Sequence, residues 1–124
     1  MRFVSFVASL ALIEYLVILL LTGRARQTYK VEAPAITGHP VFERWYRVQL
    51  NFVEQLVVFL PALFLFAGQV SPRWAGWIGL VFVAGRAVYA RSYIADPTTR
   101  GTGFAIGFAA NAVLVLGALL GSIF

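Results

Sequence analysis

Polar and ionisable residues recur at helical spacing where an apolar stretch of this sequence begins. Arg47, Asn51 and Glu54 fall at positions i, i+4 and i+7, so on a helix they share one face. Arg44 lies one turn earlier on nearly the same stripe. Ionisable groups at membrane depth are costly, and they are interpreted as functional by default.

A second polar face occurs further along the chain. Arg86, Tyr89 and Tyr93 are spaced i, i+3 and i+7, and Arg100 follows just before the last apolar stretch. Arg26 lies near the end of the first apolar stretch. Three predicted helix ends therefore direct polar groups toward one membrane depth.

These residue types suit a ligand that carries separate carboxylates and an amine. Arginine binds carboxylate through a planar fork, and Glu54 could receive an ammonium group. The alternative is structural: Arg47 or Arg86 could form an ion pair with Glu54, and Asn51 could bridge helices by hydrogen bonds. Taken together the residues favour a site, because the arginines outnumber the buried acids and surplus charge in a membrane needs a ligand or water.

The composition predicts that these faces lie on membrane-spanning helices. The chain has 124 residues, of which 60% are hydrophobic and 12% are charged, and its mean hydropathy is +0.83. Crossing a bilayer takes ~20 apolar residues. We therefore expect an all-α membrane protein, a four-transmembrane-helix bundle forming a single domain over residues 1–124. The four apolar stretches cover roughly residues 3–22, 48–68, 74–95 and 104–123.

Charge distribution predicts the orientation of the bundle. Basic residues concentrate in the first and third links, which the positive-inside rule assigns to the cytoplasm. Both termini are then non-cytoplasmic, and the polar faces open toward the cytoplasm. The basic residues of the first link and its flanks are Arg24, Arg26, Lys30, Arg44 and Arg47, those of the third are Arg91 and Arg100, and the opposite side has Arg2 and Arg73.

Several classes of function are excluded by composition. The net charge is +5, but the basic residues form no patch interleaved with aromatic residues, so a nucleic-acid partner is not expected. Cysteine is absent, which excludes disulfides, thiolate metal sites and a protein thiol nucleophile. The single histidine, His39, cannot form a metal site alone.

Local features predict how the helices begin and bend. The second helix should start before its apolar part, near Val41, and Pro61 should kink it. Asp96 should cap the last helix, with Pro97 in its first turn.

Glu14 and Asn111 are polar residues within the first and last apolar stretches. Glu14 could be a proton or cation site of a small transporter, or a neutral carboxylic acid hydrogen-bonded to a neighbouring helix. The second interpretation is favoured because no other acidic residue occurs near that depth. Asn111 is interpreted as an interhelical hydrogen-bonding residue.

Two segments resemble the MAPEG family, the membrane-associated proteins of eicosanoid and glutathione metabolism. FERWYRVQLNFVE at 42–54 resembles the E-R-x-x-R-x-Q-x-N-x-x-E pattern at the head of the family's second helix. RAVYARSY at 86–93, followed by Arg100, resembles the R-x-x-Y-x-x-x-Y pattern and downstream arginine of the glutathione-using members.

The resemblance implies a homotrimer with glutathione held in a cleft between neighbouring subunits, open to the cytosol and to lipid. The implied reaction partners are lipophilic electrophiles or lipid hydroperoxides. Arg100 would face the thiol, and Arg26 and Gln49 would help hold the polar ends of the tripeptide. The implied lining of the glutathione site is Arg47, Asn51, Glu54, Arg86, Tyr89 and Tyr93.

The acidity of a thiol explains why an arginine suits the place beside it. A free thiol has a pKa near ~8.5, so little of it is the nucleophilic thiolate at neutral pH. A fixed cation in a low-dielectric cleft favours the anion, and a shift of ~2 units corresponds to ~2.7 kcal/mol. Arginine keeps its charge under these conditions.

Two positions depart from the family pattern. Gln55 stands where several members have tyrosine, and Gln27 stands where eicosanoid-synthesising relatives have a second arginine. The second departure argues against that synthase activity and leaves a general detoxifying transferase or peroxidase. The alternatives are a proton-coupled transporter that uses Glu14 and a non-catalytic lipid-binding scaffold of the same fold.

Overall fold

The computed structural model describes all residues from 1 to 124 and consists of four long helices without a strand. Each of the four is long and apolar enough to cross a membrane, as the composition predicted. A short 3-10 helix, Pro97–Thr99, precedes the last one. The four helices are α1 (Arg2–Thr28), α2 (Pro40–Gln69), α3 (Pro72–Ala95) and α4 (Gly101–Ile123).

The start of α2 agrees with the sequence pattern, whereas the start of α4 differs from it. His39 caps α2, with its Nδ1 accepting from the Val41 backbone N–H at 3.1 Å, so this helix does begin before its apolar part. The α2 helix then continues through Pro61. Asp96 is a cap as predicted, but of the 3-10 helix: Pro97 lies in that short turn and α4 begins four residues later, at Gly101.

The helices pack with α2 and α3 in the middle. These two contact each other and both outer helices, whereas α1 and α4 lie on opposite sides and hardly touch. The core between them is aromatic: the rings of Phe59 and Phe82 stack at 3.9 Å, and Phe52 meets Phe82 edge-on. Large apolar side chains cover the outer surface, as expected for helices that face lipid.

This arrangement brings four helix termini to one end of the bundle, which we call the Arg100 end. It is formed by the last turns of α1 and α3 and the first turns of α2 and α4. The polar residues singled out in the sequence lie near this end.

Candidate functional site

The predicted site residues of α3 lie together at the Arg100 end, with Tyr89 at the centre. Its side chain is 4% exposed, and its ring centroid is 5.7 Å from that of Tyr93. The Arg86 guanidinium carbon lies 4.3 Å from the Tyr89 ring centroid. The charges of Arg100 and Glu54 also act on the Tyr89 hydroxyl. We call Tyr89, Tyr93, Arg86, Arg100 and Glu54 the Tyr89 cluster.

A close approach between α3 and α4 fixes Tyr89. Gly103 lies directly against its backbone, because a Cβ added at Gly103 would be 2.5 Å from the Tyr89 Cα atom. One turn further into the bundle, a Cβ on Gly85 would be 2.9 Å from the backbone nitrogen of Gly107. Only glycine permits this separation, so the position of Tyr89 relative to α4 follows from the sequence.

Arg86 is the most buried charged residue of the cluster, with 1% of its surface exposed. Its guanidinium packs on the Tyr89 ring and on Phe52 of α2, 5.2 Å from the centroid. Its Nε and Nη2 atoms have no hydrogen-bond partner within the chain. Arg86 is therefore held by aromatic faces rather than by an ion pair, which differs from the structural alternative considered above.

The polar face of α2 points outward. Arg47 and Glu54 are exposed and Asn51 is half-buried, with its Oδ1 atom buried and without a partner. Glu54 thus stays available as a single acidic group near Tyr89. The pattern i, i+4, i+7 placed these three residues on one face, and the structure agrees.

Arg100 lies at the start of α4, on the turn that follows α3. It is the residue that precedes the first turn of α4, and its Nη1 donates to the Pro97 carbonyl at 2.8 Å. The guanidinium is exposed, so it can receive a ligand from the surface. The turn is held by Asp96, whose carboxylate accepts from the backbone N–H of Thr98 at 3.1 Å and from its hydroxyl at 2.9 Å. The Thr98 backbone N–H and then its hydroxyl lower the pKa of Asp96.

Arg44 attaches the head of α2 to the same turn. Its Nη1 atom donates to the carbonyl oxygens of Ile94 at 3.0 Å and Ala95 at 3.5 Å. These are the last two residues of α3, whose carbonyls have no partner inside the helix. Although the sequence put Arg44 on the stripe of Arg47, its role as a link between helices was not predicted.

Arg26 and Gln49 are not part of the Tyr89 cluster. The Nη1 atom of Arg26 donates to the carbonyls of Ala35 at 2.7 Å and Val31 at 3.3 Å, and its guanidinium lies 4.6 Å from the Phe42 ring centroid. Gln49 is half-buried on α2 and no hydrogen bond links it to the cluster. The predicted site residues thus do not all meet within one chain.

The structure also shows the neighbours of three further polar residues, Asn111, Gln55 and Glu14. The Nδ2 atom of Asn111 donates to Oε1 of Gln55 at 3.1 Å, which joins α4 to α2 and confirms Asn111 as an interhelical residue. Gln55 follows Asn51 by one helical turn, and this spacing in the sequence could have indicated that Gln55 lies near the polar face of α2. Glu14 on α1 faces Arg86, and its Oε1 atom has no hydrogen-bond partner.

The sequence matches the model of the MAPEG family over residues 4–120. It is 45% identical over 116 residues to an uncharacterized protein of Synechocystis, which covers 94% of this chain and 85% of that protein. It is 38% identical over 99 residues to microsomal glutathione S-transferase 2 of Homo sapiens, covering 80% of this chain and 67% of the relative. Leukotriene C4 synthase of Cavia porcellus is 37% identical over 70 residues, which are 56% of this chain and 47% of that enzyme.

Proposed function

The chain belongs to the MAPEG family, and on that premise we propose that it is a membrane-bound glutathione-dependent transferase or peroxidase. The site would lie at the Arg100 end, around the Tyr89 cluster. The second substrate would be a lipophilic electrophile or hydroperoxide that arrives from the lipid phase.

The observation that carries the proposal is the charge balance around Tyr89. Neither Arg86 nor Arg100 donates a hydrogen bond to a carboxylate: the Arg86 Nε and Nη2 atoms have no partner, and Arg100 Nη1 donates to the Pro97 carbonyl. Surplus positive charge at the edge of a membrane favours an anionic ligand. Glutathione carries two carboxylates, which would pair with arginines, and one ammonium group, which would pair with Glu54. Its thiol would lie beside the exposed Arg100.

Each group has a role that its chemistry supports. Arg47 would bind a carboxylate through its planar fork, and Asn51 would donate from its amide. Glu54 would receive the ammonium group, and Tyr89 and Tyr93 would offer hydroxyls. Arg86 would act from beneath, because its guanidinium supports the Tyr89 ring.

Arg100 would hold the thiol as thiolate. Once the thiol proton has left to solvent, the sulfur anion attacks the electrophilic carbon of the second substrate. The new carbon–sulfur bond forms as a leaving group departs with its electron pair or, on an activated alkene, as the π electrons move to the neighbouring carbon, which takes a proton from water. Because Arg100 is at the exposed end of the bundle, the thiol proton would pass to water there and the second substrate would arrive there from lipid. The proposal includes the orientation predicted by the basic links, with this end in the cytoplasm and both termini opposite.

The separation of Arg26 and Gln49 from the Tyr89 cluster supports a site shared between subunits. In a homotrimer, the α1–α2 side of one copy would face the Tyr89 cluster of the next. Arg26 and Gln49 would then reach the polar ends of glutathione bound to the neighbour.

Substitution of Arg100 tests the mechanism. Arg100→Ala should lower conjugation about 25-fold at about pH 7, since a rise of the thiol pKa from ~6.5 to ~8.5 lowers the thiolate fraction from about 0.8 to about 0.03. The measurement is the turnover of a chromogenic electrophile, together with the ultraviolet thiolate absorbance of glutathione in the purified protein. Arg24→Ala is the matched control, because Arg24 is exposed at the same end and outside the site. Wild-type turnover in Arg100→Ala would refute the mechanism.

Calorimetry with glutathione separates this proposal from a non-catalytic lipid-binding scaffold. We expect saturable binding that Arg47→Ala weakens, because a carboxylate loses its fork-shaped partner. A protein that releases no heat with glutathione and shows no shift in unfolding temperature would be the scaffold instead.

A further inference from the structure

Residues 29–39 join α1 to α2 at the Arg100 end, and we call them the α1–α2 link. Val31 of the link is buried in one apolar cluster with Phe42 of α2. The Arg26 guanidinium packs on the Phe42 ring, and its Nη1 atom donates to the Val31 and Ala35 carbonyls. The link is therefore a folded segment, and its contacts fix the position of Arg26.

The two ends of the link meet at His39, its last residue. The His39 ring stacks on that of Tyr29, the first residue of the link, with the centroids 3.9 Å apart and the planes 19° apart. The His39 Nδ1 atom also accepts from the Val41 backbone N–H at 3.1 Å and so caps α2. One imidazole thus joins the end of α1 to the start of α2.

The cap requires an unprotonated Nδ1 atom on His39. A protonated imidazole carries a hydrogen on both ring nitrogens and has no lone pair left to accept a bond. Protonation would therefore leave the Val41 N–H without its partner. It would also place a positive charge at the N-terminus of α2, where the helix dipole is positive as well. Histidine is the residue that ordinarily changes its charge between about pH 5 and about pH 8, so this change falls within a physiological range.

Two titratable groups lie beside the His39 ring. Tyr29 faces it from α1 as a neutral phenol. Glu43 lies on α2, where its carboxylate accepts from the Gly38 backbone N–H at 3.2 Å. This carboxylate favours a cation nearby, but its Oε2 atom is already bonded, so the Val41 N–H still loses its acceptor. The other charged residues of the link and the end of α1 are Arg24, Arg26, Lys30 and Glu32.

We propose that His39 is a pH-dependent switch that controls the order of the α1–α2 link. The neutral ring caps α2 and holds the two ends of the link together. When the ring takes up a proton from water, the bond to the Val41 N–H is lost and the link opens more often. The link is thus most ordered while the ring is neutral, and it loosens as the pH falls.

The switch goes beyond the proposed function, because the order of the link can be measured without glutathione. No residue of the Tyr89 cluster belongs to the link. The proton therefore acts on the segment that holds Arg26 and does not titrate a group of that cluster.

Hydrogen exchange and NMR test the switch on the same intact protein in detergent. His39 is the only histidine of the chain, so in protein purified without a histidine tag the imidazole signals report this ring alone. The readout is the protection factor, the ratio of intrinsic to observed exchange rate, for residues 36–46. We expect it to fall about tenfold between about pH 8 and about pH 5, because the cap is lost and a cation meets the helix dipole.

The fall in protection should have the same midpoint as the change in the imidazole signals. A ring that becomes protonated while protection stays constant would overturn the proposal, and so would a ring that stays neutral throughout this range. The turn at Pro97–Thr99 is an internal control at the same end of the bundle, because it is capped by Asp96 and contains no histidine. Its protection should not change between these pH values.

Two variants separate the cap from the proton. Asparagine is a good N-cap and does not titrate, so His39→Asn should keep its protection at both pH values. Alanine offers no acceptor, so His39→Ala should show at both pH values the low protection of the protonated wild type. If His39→Asn loses protection at low pH as the wild type does, the proton acts at another residue and the proposal is wrong.

Discussion

The two sides of α3 are built in opposite ways. Toward α4 the backbones nearly touch, since Gly85 and Gly103 leave no room for even one added carbon. Toward α1, in the half of α3 nearer the Arg100 end, the helices diverge around a groove of about 590 Å³ that Glu14 and Arg86 line. One helix therefore carries a closely packed seam and an open one, and Arg86 and Tyr89 lie less than one helical turn apart between them.

This contrast shows how a small bundle can hold one residue in a fixed position and still leave space for a ligand beside the same helix. Tyr89 belongs to the closed seam, so its backbone is held against α4 before any ligand arrives. Arg86 packs on the Tyr89 ring and also lines the groove on the other side of α3. Small residues let helices approach closely where apolar burial supplies no driving force between them. α3 uses them against α4 at Gly85, and against α1 at Gly79, which lies against Val7 farther from the Arg100 end.

The largest effect should come from breaking the closed seam. Gly103→Ala places a methyl group 2.5 Å from the Tyr89 Cα atom. Because the obstacle is backbone, α3 and α4 must separate, and we expect a loss of about 3 kcal/mol or more in unfolding free energy. Thermal unfolding in detergent measures the loss, and the thiolate absorbance of glutathione should fall with it.

Gly107→Ala is the matched control on the same helix face. Its new methyl group would meet only the Arg86 Cδ atom, at an ordinary 3.6 Å, and the Phe82 ring, at 3.9 Å. The helix propensity of alanine should then leave stability unchanged or raise it by up to about 1 kcal/mol. If both variants unfold at the same temperature, close packing at Gly103 does not hold Tyr89.

A smaller effect should follow from releasing the turn between α3 and α4. Arg44→Ala removes the hydrogen bonds to the Ile94 and Ala95 carbonyls. We expect a loss of about 1 kcal/mol in stability, because the bonds are charge-assisted but partly exposed. The thiolate fraction of bound glutathione should fall less than in Arg100→Ala, since Arg100 stays present but less well positioned.

Arg44→Lys refines this result. A lysine keeps the charge but has no planar fork, so it should restore stability only in part. Arg24→Ala at the same end of the bundle should have neither effect. A variant at position 44 that unfolds earlier but retains the full thiolate signal would mean that the bond supports the fold without positioning Arg100.

Much of this architecture could be predicted from the sequence. Four apolar stretches indicated the four helices, and the spacing of Arg86, Tyr89 and Tyr93 indicated a face that the structure confirms. Those features depend on helical periodicity alone. The first turn of α4 was misplaced, because Asp96 and Pro97 form a 3-10 turn of their own before the helix begins.

The seams of α3 could not be predicted in the same way. Which glycine lies against which backbone depends on the relative rotation of two helices, and periodicity within one helix does not determine it. The partners of Arg44 are backbone carbonyls on another helix, which have no signal in the sequence. Glu14 and Arg86 were both noted, but their approach requires α1 and α3 to be neighbours.

The smallest effect should come from the turn itself, through the charge of Asp96. The backbone N–H and hydroxyl of Thr98 hold the pKa of Asp96 below its ordinary value. The carboxylate therefore adds stability in full above about pH 3.9, the value in the unfolded chain, and loses it as pH falls through the lower folded pKa. Asp96→Asn keeps an acceptor oxygen but cannot titrate. Its unfolding temperature should vary less than that of the wild type between about pH 5 and about pH 2.5. Parallel profiles for the two proteins would mean that the closed seam alone, without the charged cap, holds the turn that carries Arg100.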